Sequence, residues 1–214
     1  MAKMDHIPAP AVRRLSLYLR QLETLQAGDR KTVSSRQLGG SLGLSDAQVR
    51  KDLAYFGQFG HPGVGYRVPE LVQRLRRILG TDKKTGVLLV GAGNLGRALI
   101  AYRGFAKRGF DVVAVFDNDA DKLGRDIPGR TTLKIQPLSE LPTVAKKHAI
   151  RVGILAVPAA SAQAVAELMV FAGIRGILNF APTTLQVGEG VSVSSVDLAV
   201  HLEQLSYKIS AVPA

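Results

Sequence analysis

The residues best suited to chemistry are a glycine loop and an aspartate 21 positions beyond it. Gly91-Ala92-Gly93-Asn94-Leu95-Gly96 follows the apolar run Val87-Leu88-Leu89-Val90 and opens a stretch of helical character. Between a strand and a helix, the first glycine permits a tight turn and the second lets backbone approach a pyrophosphate. The third lets the helix pack on the strand, which sets phosphate against the N-terminal amides. Asp117 ends the next apolar run, where a carboxylate accepts from a ribose diol. With Asp119 close by, a 2′-phosphate is repelled, so the pattern favours NAD⁺/NADH over NADP. A glycine turn beside a helix-capping aspartate is the plainer alternative.

Other reactive chemistry has little support. None of the five tyrosines is followed four residues on by a lysine, which excludes the short-chain dehydrogenase pair. There are no cysteines, and His6, His61, His148 and His201 lack metal-ligand spacing. Gly39-Gly40-Ser41-Leu42-Gly43 matches a hydrolase string, but it lies between helical runs rather than at a strand-to-helix elbow. No catalytic residue and no metal site is assigned. A cofactor loop without a catalyst points to a sensor.

A second constellation lies near the N-terminus. Ser34-Ser35-Arg36-Gln37 and Ser45-Asp46-Ala47-Gln48 are capping-box strings, in which serine caps the N3 amide and glutamine returns to the cap residue. Gly43 turns the chain between them, and Leu38, Leu42, Leu44, Val49, Leu53 and Phe56 form the inward set. That leaves Ala47, Gln48, Lys51, Ala54 and Tyr55 outward, with Arg50 at the edge. Glutamine can read adenine, lysine and arginine can read guanine or hold phosphate, and alanines let a helix sit deep in a groove. Residues 57–68 hold four glycines and β-prone pieces, which predicts a hairpin serving as a wing. A solvated amphipathic helix is the competing reading.

The elements that must position these residues divide the chain in two. Val12, Leu15, Leu19 and Leu22 predict a first helix behind Pro10, ended near Gly28. Pro69 starts another, with Leu71, Val72, Leu75 and Ile78 on its apolar face. A linker at 81–86 precedes apolar runs at Val87–Val90, Val112–Phe116, Val152–Val157 and Ile174–Phe180, with helical stretches near 95–108, 139–148 and 160–172. Continuous Val/Ile/Leu strands alternating with helices predict a parallel doubly wound sheet. A β-prone piece at Val187, Val191 and Val193 precedes a last helix, about 196–210. The expected boundaries are 1–82, 83–194 and 195–214.

Composition agrees with this division. The 214 residues are 46% hydrophobic and 21% charged, so the chain can bury cores. Residues 1–84 carry a net charge of +8 and the remainder +3, which places a polyanion-binding module first. No apolar run is long enough to span a bilayer and the N-terminus lacks an export signal, so the expected location is cytoplasmic, with no membrane partner.

A series of motifs resembles the Rex family of bacterial redox-sensing repressors. It comprises Val49–Gly57, Gly63-Val64-Gly65-Tyr66, Val90–Gly96, Ala156-Val157-Pro158, Gly173–Pro182 and Val196-Asp197-Leu198-Ala199. The resemblance runs in order from about Pro8 to Tyr207. It implies an α/β chain with an N-terminal winged helix-turn-helix domain, a C-terminal Rossmann-type sheet, and a homodimer whose C-terminal helix is exchanged between subunits. It also implies a transcriptional repressor on double-stranded inverted-repeat operator DNA, released by NADH and permitted to bind by NAD⁺.

By the same resemblance, Gly91, Ala92, Gly93, Asn94, Leu95 and Gly96 hold the pyrophosphate and Asp117 the adenosine ribose. Val157, Pro158, Asn179, Phe180 and Pro182 line the nicotinamide side, and Tyr102 approaches the cofactor. The outward face of the second helix and the wing, read from the residues themselves, give Gln48, Arg50, Lys51, Tyr55, His61 and Gly63 as the candidate DNA contacts. Asp197 is a switch carboxylate that changes partners between Tyr102 and an N-terminal arginine, Arg20 first and Arg14 second. Where members often carry a basic wing residue, this chain has His61-Pro62. Where some carry an aromatic residue, it has Leu198. Two other functions remain open on the residues: a small NAD-dependent dehydrogenase with a basic extension, and a regulator sensing another nucleotide ligand such as CoA.

Overall fold

A computed structural model describes residues 7–60, 63–127 and 130–210, in two compact units, Met1–Lys83 and Lys84–Ala214. In the first unit, helix α1 (Ala9–Ala27) begins behind Pro8 with a second proline in its first turn. Prolines suit that turn because its amides have no intrahelical acceptor. Leu15, Tyr18, Leu19 and Leu22 are buried along one face, whereas Val12, expected inward, is exposed. Ala11 is buried instead. The inward stripe thus holds at Leu15, Leu19 and Leu22 and departs from the expected one only in the first turn.

Helices α2 (Ser35–Gly40) and α3 (Asp46–Ala54) form the helix–turn–helix, and α4 (Val68–Ile78) completes the unit. Leu38, Val49, Leu53, Leu71, Val72 and Leu75 share one core with α1. Strand β1 (Thr32–Val33) pairs antiparallel with β2 (Tyr66–Arg67). The expected hairpin within 57–67 is therefore corrected. Among its described residues only β2 is a strand, and its partner lies before α2. Gly57, Gly63 and Gly65 have φ of +121°, +78° and +82°. Left-handed positions interrupt regular pairing, and of these three glycines only Gly65 makes a bridge.

The second unit is a seven-stranded sheet. Its strands are β3 (Thr85–Val90), β4 (Phe110–Asp117), β5 (Asp126–Ile127), β6 (Arg130–Pro137), β7 (Val152–Leu155), β8 (Gly176–Asn179) and β9 (Ser192–Ser195), in the order β5-β6-β4-β3-β7-β8-β9. All neighbours are parallel except β5 and β6. Helices α5 (Asn94–Ala101), α6 (Arg103–Lys107), α7 (Leu141–Lys147) and α8 (Ala159–Phe171) connect them, and α9 (Leu198–Ser210) follows the last.

Alternate residues of β3 serve two cores. Leu88 and Val90 pack in the cluster of α7 and α8, while Val87 and Leu89 pack in the cluster of Ile100 from α5. Covering both faces explains why the strands read as unbroken apolar runs. Two departures from expectation occur here. The helix foreseen at 95–108 breaks at Tyr102, whose ψ of 103° is extended. Strands β5 and β6 were not expected, and they carry the sheet two positions beyond β4.

The chain runs outward from β3 through β4 to β6, then crosses back to β7 and runs through β8 to β9. The order therefore reverses between β3 and β7. In open α/β sheets a ligand crevice lies at the carboxyl ends of the strands at this reversal.

Candidate functional site

The glycine loop lies at that crevice. Gly91 leaves β3 with φ of +101°, and its N–H donates to the Phe116 carbonyl at 2.8 Å. A side chain on Gly91 would run into the backbone of Ala156 after β7, and one on Gly96 would strike the Gly91 carbonyl. Both glycines are thus required by close approach, the first of strand to strand and the second of helix to loop. Asn94 and Leu95 at the first turn of α5 are exposed, while Ala92 and Gly96 are buried. A turn of this shape fits a pyrophosphate against helix-terminal amides.

Asp117 is buried at the end of β4. Its Oδ2 accepts the Ala92 N–H at 2.7 Å and Lys122 Nζ at 3.2 Å, and its Oδ1 accepts the Asp119 N–H at 2.9 Å. Burial raises its pKa, but the backbone amides of Asp119 and Ala92 and the Lys122 ammonium outweigh that and hold it below the usual carboxylate range. Lys122 also meets Asp119 at 3.2 Å and is raised by the two carboxylates despite its desolvation. Two carboxylates against one ammonium keep the position net negative. That suits a ribose diol and opposes a 2′-phosphate. Sequence reasoning missed Lys122, although its spacing of five and three residues from the two aspartates was visible.

The residues expected at the nicotinamide side follow β7 and β8 at the same ends of the sheet. Val157 and Phe180 are half-buried and Pro158 and Pro182 exposed. Asn179 is fully buried and engaged within its own loop. Its Oδ1 accepts the Ala181 N–H at 2.9 Å, and its Nδ2 donates to the Thr183 carbonyl at 2.9 Å. Its amide therefore shapes the 179–183 turn. Tyr102 is 60% exposed and meets Phe105 edge-on, ring centres 5.2 Å apart. Asp197 caps α9, its Oδ1 accepting the Ala199 N–H at 2.9 Å and the Val200 N–H at 3.3 Å.

In the first unit α3 presents Ala47, Arg50, Lys51 and Ala54 to solvent, with Gln48 and Tyr55 half-buried. Arg50 Nη1 donates to Asp46 Oδ2 at 2.7 Å and to Ser35 Oγ at 3.0 Å, and its hydrogen bond lowers the Asp46 pKa. Gly63 is exposed, and His61 lies outside the described residues. The first capping box is complete: Ser34 Oγ accepts the Gln37 N–H and Gln37 Oε1 accepts the Ser34 N–H. The second is corrected. Ser45 Oγ accepts the Gln48 N–H at 3.1 Å, but the Gln48 side chain donates forward to Asp52 at 2.7 Å.

Asp52 is the residue the sequence reading overlooked. It is fully buried, with Oδ2 accepting from Arg14 Nε at 2.6 Å and Tyr18 Oη at 2.7 Å. Its Oδ1 accepts from Arg14 Nη2 and Gln48 Nε2, each at 2.7 Å. Burial opposes its charge, yet the bonds from Arg14, Tyr18 and Gln48 prevail and depress its pKa. The bidentate Asp52 bond raises the Arg14 pKa, and burial pushes the Tyr18 hydroxyl up. Of the two arginines considered for the switch, Arg14 is thus already committed. Arg20 is exposed, with no hydrogen bond of its guanidinium among the described residues.

No group of three or more His, Asp or Glu side chains suited to a metal ion occurs among the described residues. Nor is any helix among them long and apolar enough to cross a membrane.

Comparison with known proteins adds names to this geometry. A family model described as a CoA binding domain matches residues 82–183, and one for a DNA-binding protein N-terminus matches residues 6–54. The redox-sensing transcriptional repressor Rex of Carboxydothermus hydrogenoformans is 50% identical over 203 residues, covering 95% of this chain and 96% of its own. The crystal structure of RSP in complex with β-NAD⁺ and operator DNA aligns with a TM-score of 0.89 at 37% identity, over 95% of this chain and 92% of that one. RSP in complex with β-NADH aligns at 0.84 and 35% identity, over 95% and 94%.

Proposed function

This chain belongs to the Rex family of redox-sensing transcriptional repressors, and we propose that it holds operator DNA in its apo or NAD⁺-bound form and releases it with NADH. It is a regulator and not an enzyme. It acts as a cytoplasmic homodimer. The observation that carries the cofactor assignment is the Asp117 carboxylate, fixed beside the glycine loop by the Ala92 amide at 2.7 Å.

The division of labour follows from the residues. Gly91, Gly93, Asn94, Leu95 and Gly96 receive the pyrophosphate, Ala92 ties the loop to Asp117, and Asp117 orients the adenosine ribose. Val157, Pro158, Phe180 and Pro182 form the nicotinamide wall, and Asn179 holds the turn that carries two of them. The redox state of the nicotinamide supplies one unit of charge and a change of ring planarity. A sensor must turn this into unequal affinity for two arrangements of the dimer. Asp197 answers the charge, pairing toward Tyr102 or toward Arg20. Arg14, held by Asp52, leaves that role to Arg20.

On the DNA side Gln48, Lys51 and Tyr55 read or grip the major groove from α3, while Arg50, Gly63 and His61 approach the backbone. Helix α9 has no buried residue, and Leu198, Leu202, Leu205, Tyr207 and Ile209 are each more than half exposed. Apolar surface in this amount asks for cover. A partner subunit supplies it.

A titration of operator-bound protein tests the reading: NADH should release DNA at far lower concentration than NAD⁺. Equal potency of the two overturns it. The CoA binding domain match supports a second reading, a CoA sensor, in which CoA displaces bound NADH and Asp117 is dispensable. Fluorescence of NADH separates the two in one cuvette, because the chain has no tryptophan.

A further inference from the structure

We propose that Asp52 is the positioning residue of the DNA-reading helix: it fixes the Gln48 side-chain amide so that its carbonyl oxygen and remaining N–H face an adenine edge. The inference deepens the reading of α3 as the recognition helix and rests on it.

A buried carboxylate is costly unless it is paired and hydrogen-bonded. Asp52 takes three bonds from α1, two from Arg14 and one from Tyr18, and its fourth from Gln48, one turn back on its own helix. The α1 bonds hold the carboxylate still. The fourth bond then fixes something outside the core. A glutamine amide left to itself turns about its terminal torsion and presents oxygen and NH₂ in either order. Asp52 is ionised and accepts only, so it selects the NH₂ group and directs Oε1 the other way.

One Nε2 hydrogen is spent on Asp52. Gln48 keeps one N–H and a carbonyl oxygen in fixed order, the pair that matches adenine N7 and N6–H in the major groove. An amide oriented before binding loses less freedom on meeting the base. The neighbouring capping-box string shows the contrast. Gln37 returns its Oε1 to the Ser34 amide, whereas Gln48 turns forward although Ser45 offers the same arrangement. Asp52, with no counterpart in that first helix, accounts for the difference.

The test is a double-mutant cycle in the full-length protein, with Gln48→Ala, Asp52→Asn and the double variant. Affinity is measured for a duplex selected by this protein from a randomised inverted-repeat library, and for a random duplex at the same salt. Asp52→Asn is expected to lower the ratio of specific to random affinity roughly tenfold. In the Gln48→Ala background the same change should alter that ratio less than about twofold, because the side chain it orients is gone. An equal loss in both backgrounds shows Asp52 acting through the fold alone and overturns the inference. A Gln48→Ala variant with undiminished specificity removes the base-reading role of Gln48 and the inference with it. Should Asp52→Asn fail to fold, side-chain ¹⁵N relaxation of Gln48 in the wild-type protein decides. An order parameter near that of rigid backbone, about 0.85, is expected, and a value below about 0.6 overturns the proposal.

Discussion

The carboxylate of Asp117 reaches 25 residues back along the chain to accept the Ala92 amide at 2.7 Å, joining the end of β4 to the turn that leaves β3. One side chain thereby serves two tasks. Its charge stands beside the glycine loop, where the proposed function puts the adenosine ribose, and its Oδ2 helps to set the shape of that loop. Only a residue that ionises and accepts at once can serve both.

Asp117→Ala should therefore weaken NADH binding by about 10- to 100-fold, the cost of losing hydrogen bonds to a charged group. Operator binding by the apo protein should be unchanged, since α3 belongs to the other unit. Fluorescence titration measures the first and a gel-shift or anisotropy assay the second. Undiminished NADH affinity would remove the carboxylate from the cofactor site.

Tyr18 is fully buried and donates to Asp52 at 2.7 Å. Tyr18→Phe keeps the ring and removes one bond to a charged acceptor, so the first unit should lose about 1.5–3 kcal/mol. Chemical denaturation followed by circular dichroism gives the value. NADH affinity should not move.

The same cluster sets an acid limit. Asp52 has a folded pKa below its unfolded value, which is about 3.9. Its contribution to stability is therefore complete above the ordinary carboxylate range and is lost as pH falls through the depressed folded value, because the unfolded chain binds the proton more readily. Stability of the wild type should rise with pH across this window. The slope should flatten in Asp52→Asn.

What the sequence made legible was the local chemistry. The glycine loop needs a tight turn and close approach at fixed spacing, and Gly91 and Gly96 show both. The apolar runs mark strands covered on two faces, hence β3, β4, β7 and β8. Strand β6 escaped because its polar Arg130-Thr131-Thr132 and Lys134 break the apolar run by which the other strands were recognised. Gln48 was misread because its capping-box string matches that of Gln37, and the outcome depended on a competitor four residues on. The warning was present: Asp52 falls beside Val49 and Leu53 on the inward face. A carboxylate placed there must find partners, and Arg14 and Tyr18 lie more than thirty positions away in the chain.

Lys51 is exposed on α3 in the last turn of the helix, and no hydrogen bond or ion pair of its ammonium occurs among the described residues. Lys51→Ala should weaken operator binding while leaving NADH affinity intact. If Lys51 meets a phosphate, the loss is uniform across sequences and the salt dependence of log K falls by about one unit. If it reads guanine, the loss appears at one position of the site. Binding isotherms at several salt concentrations, on a panel of singly substituted duplexes, separate these outcomes.

Helix α9 supplies the last prediction. Its Leu202 and Leu205 are 67% and 54% exposed, and the helix has no buried residue. If a second subunit covers it, Leu202→Asp with Leu205→Asp must place two charges in an apolar interface, which is strongly unfavourable unless they are paired. Light scattering should then report monomers where the wild type gives dimers. A two-fold operator needs two reading helices held about 34–36 Å apart, so affinity for the inverted repeat should collapse toward that of a half-site. The loss should not depend on NADH, because the element that couples the two reading helices has been removed. A variant that stays dimeric places the interface elsewhere and leaves the exposed face of α9 with some other cover.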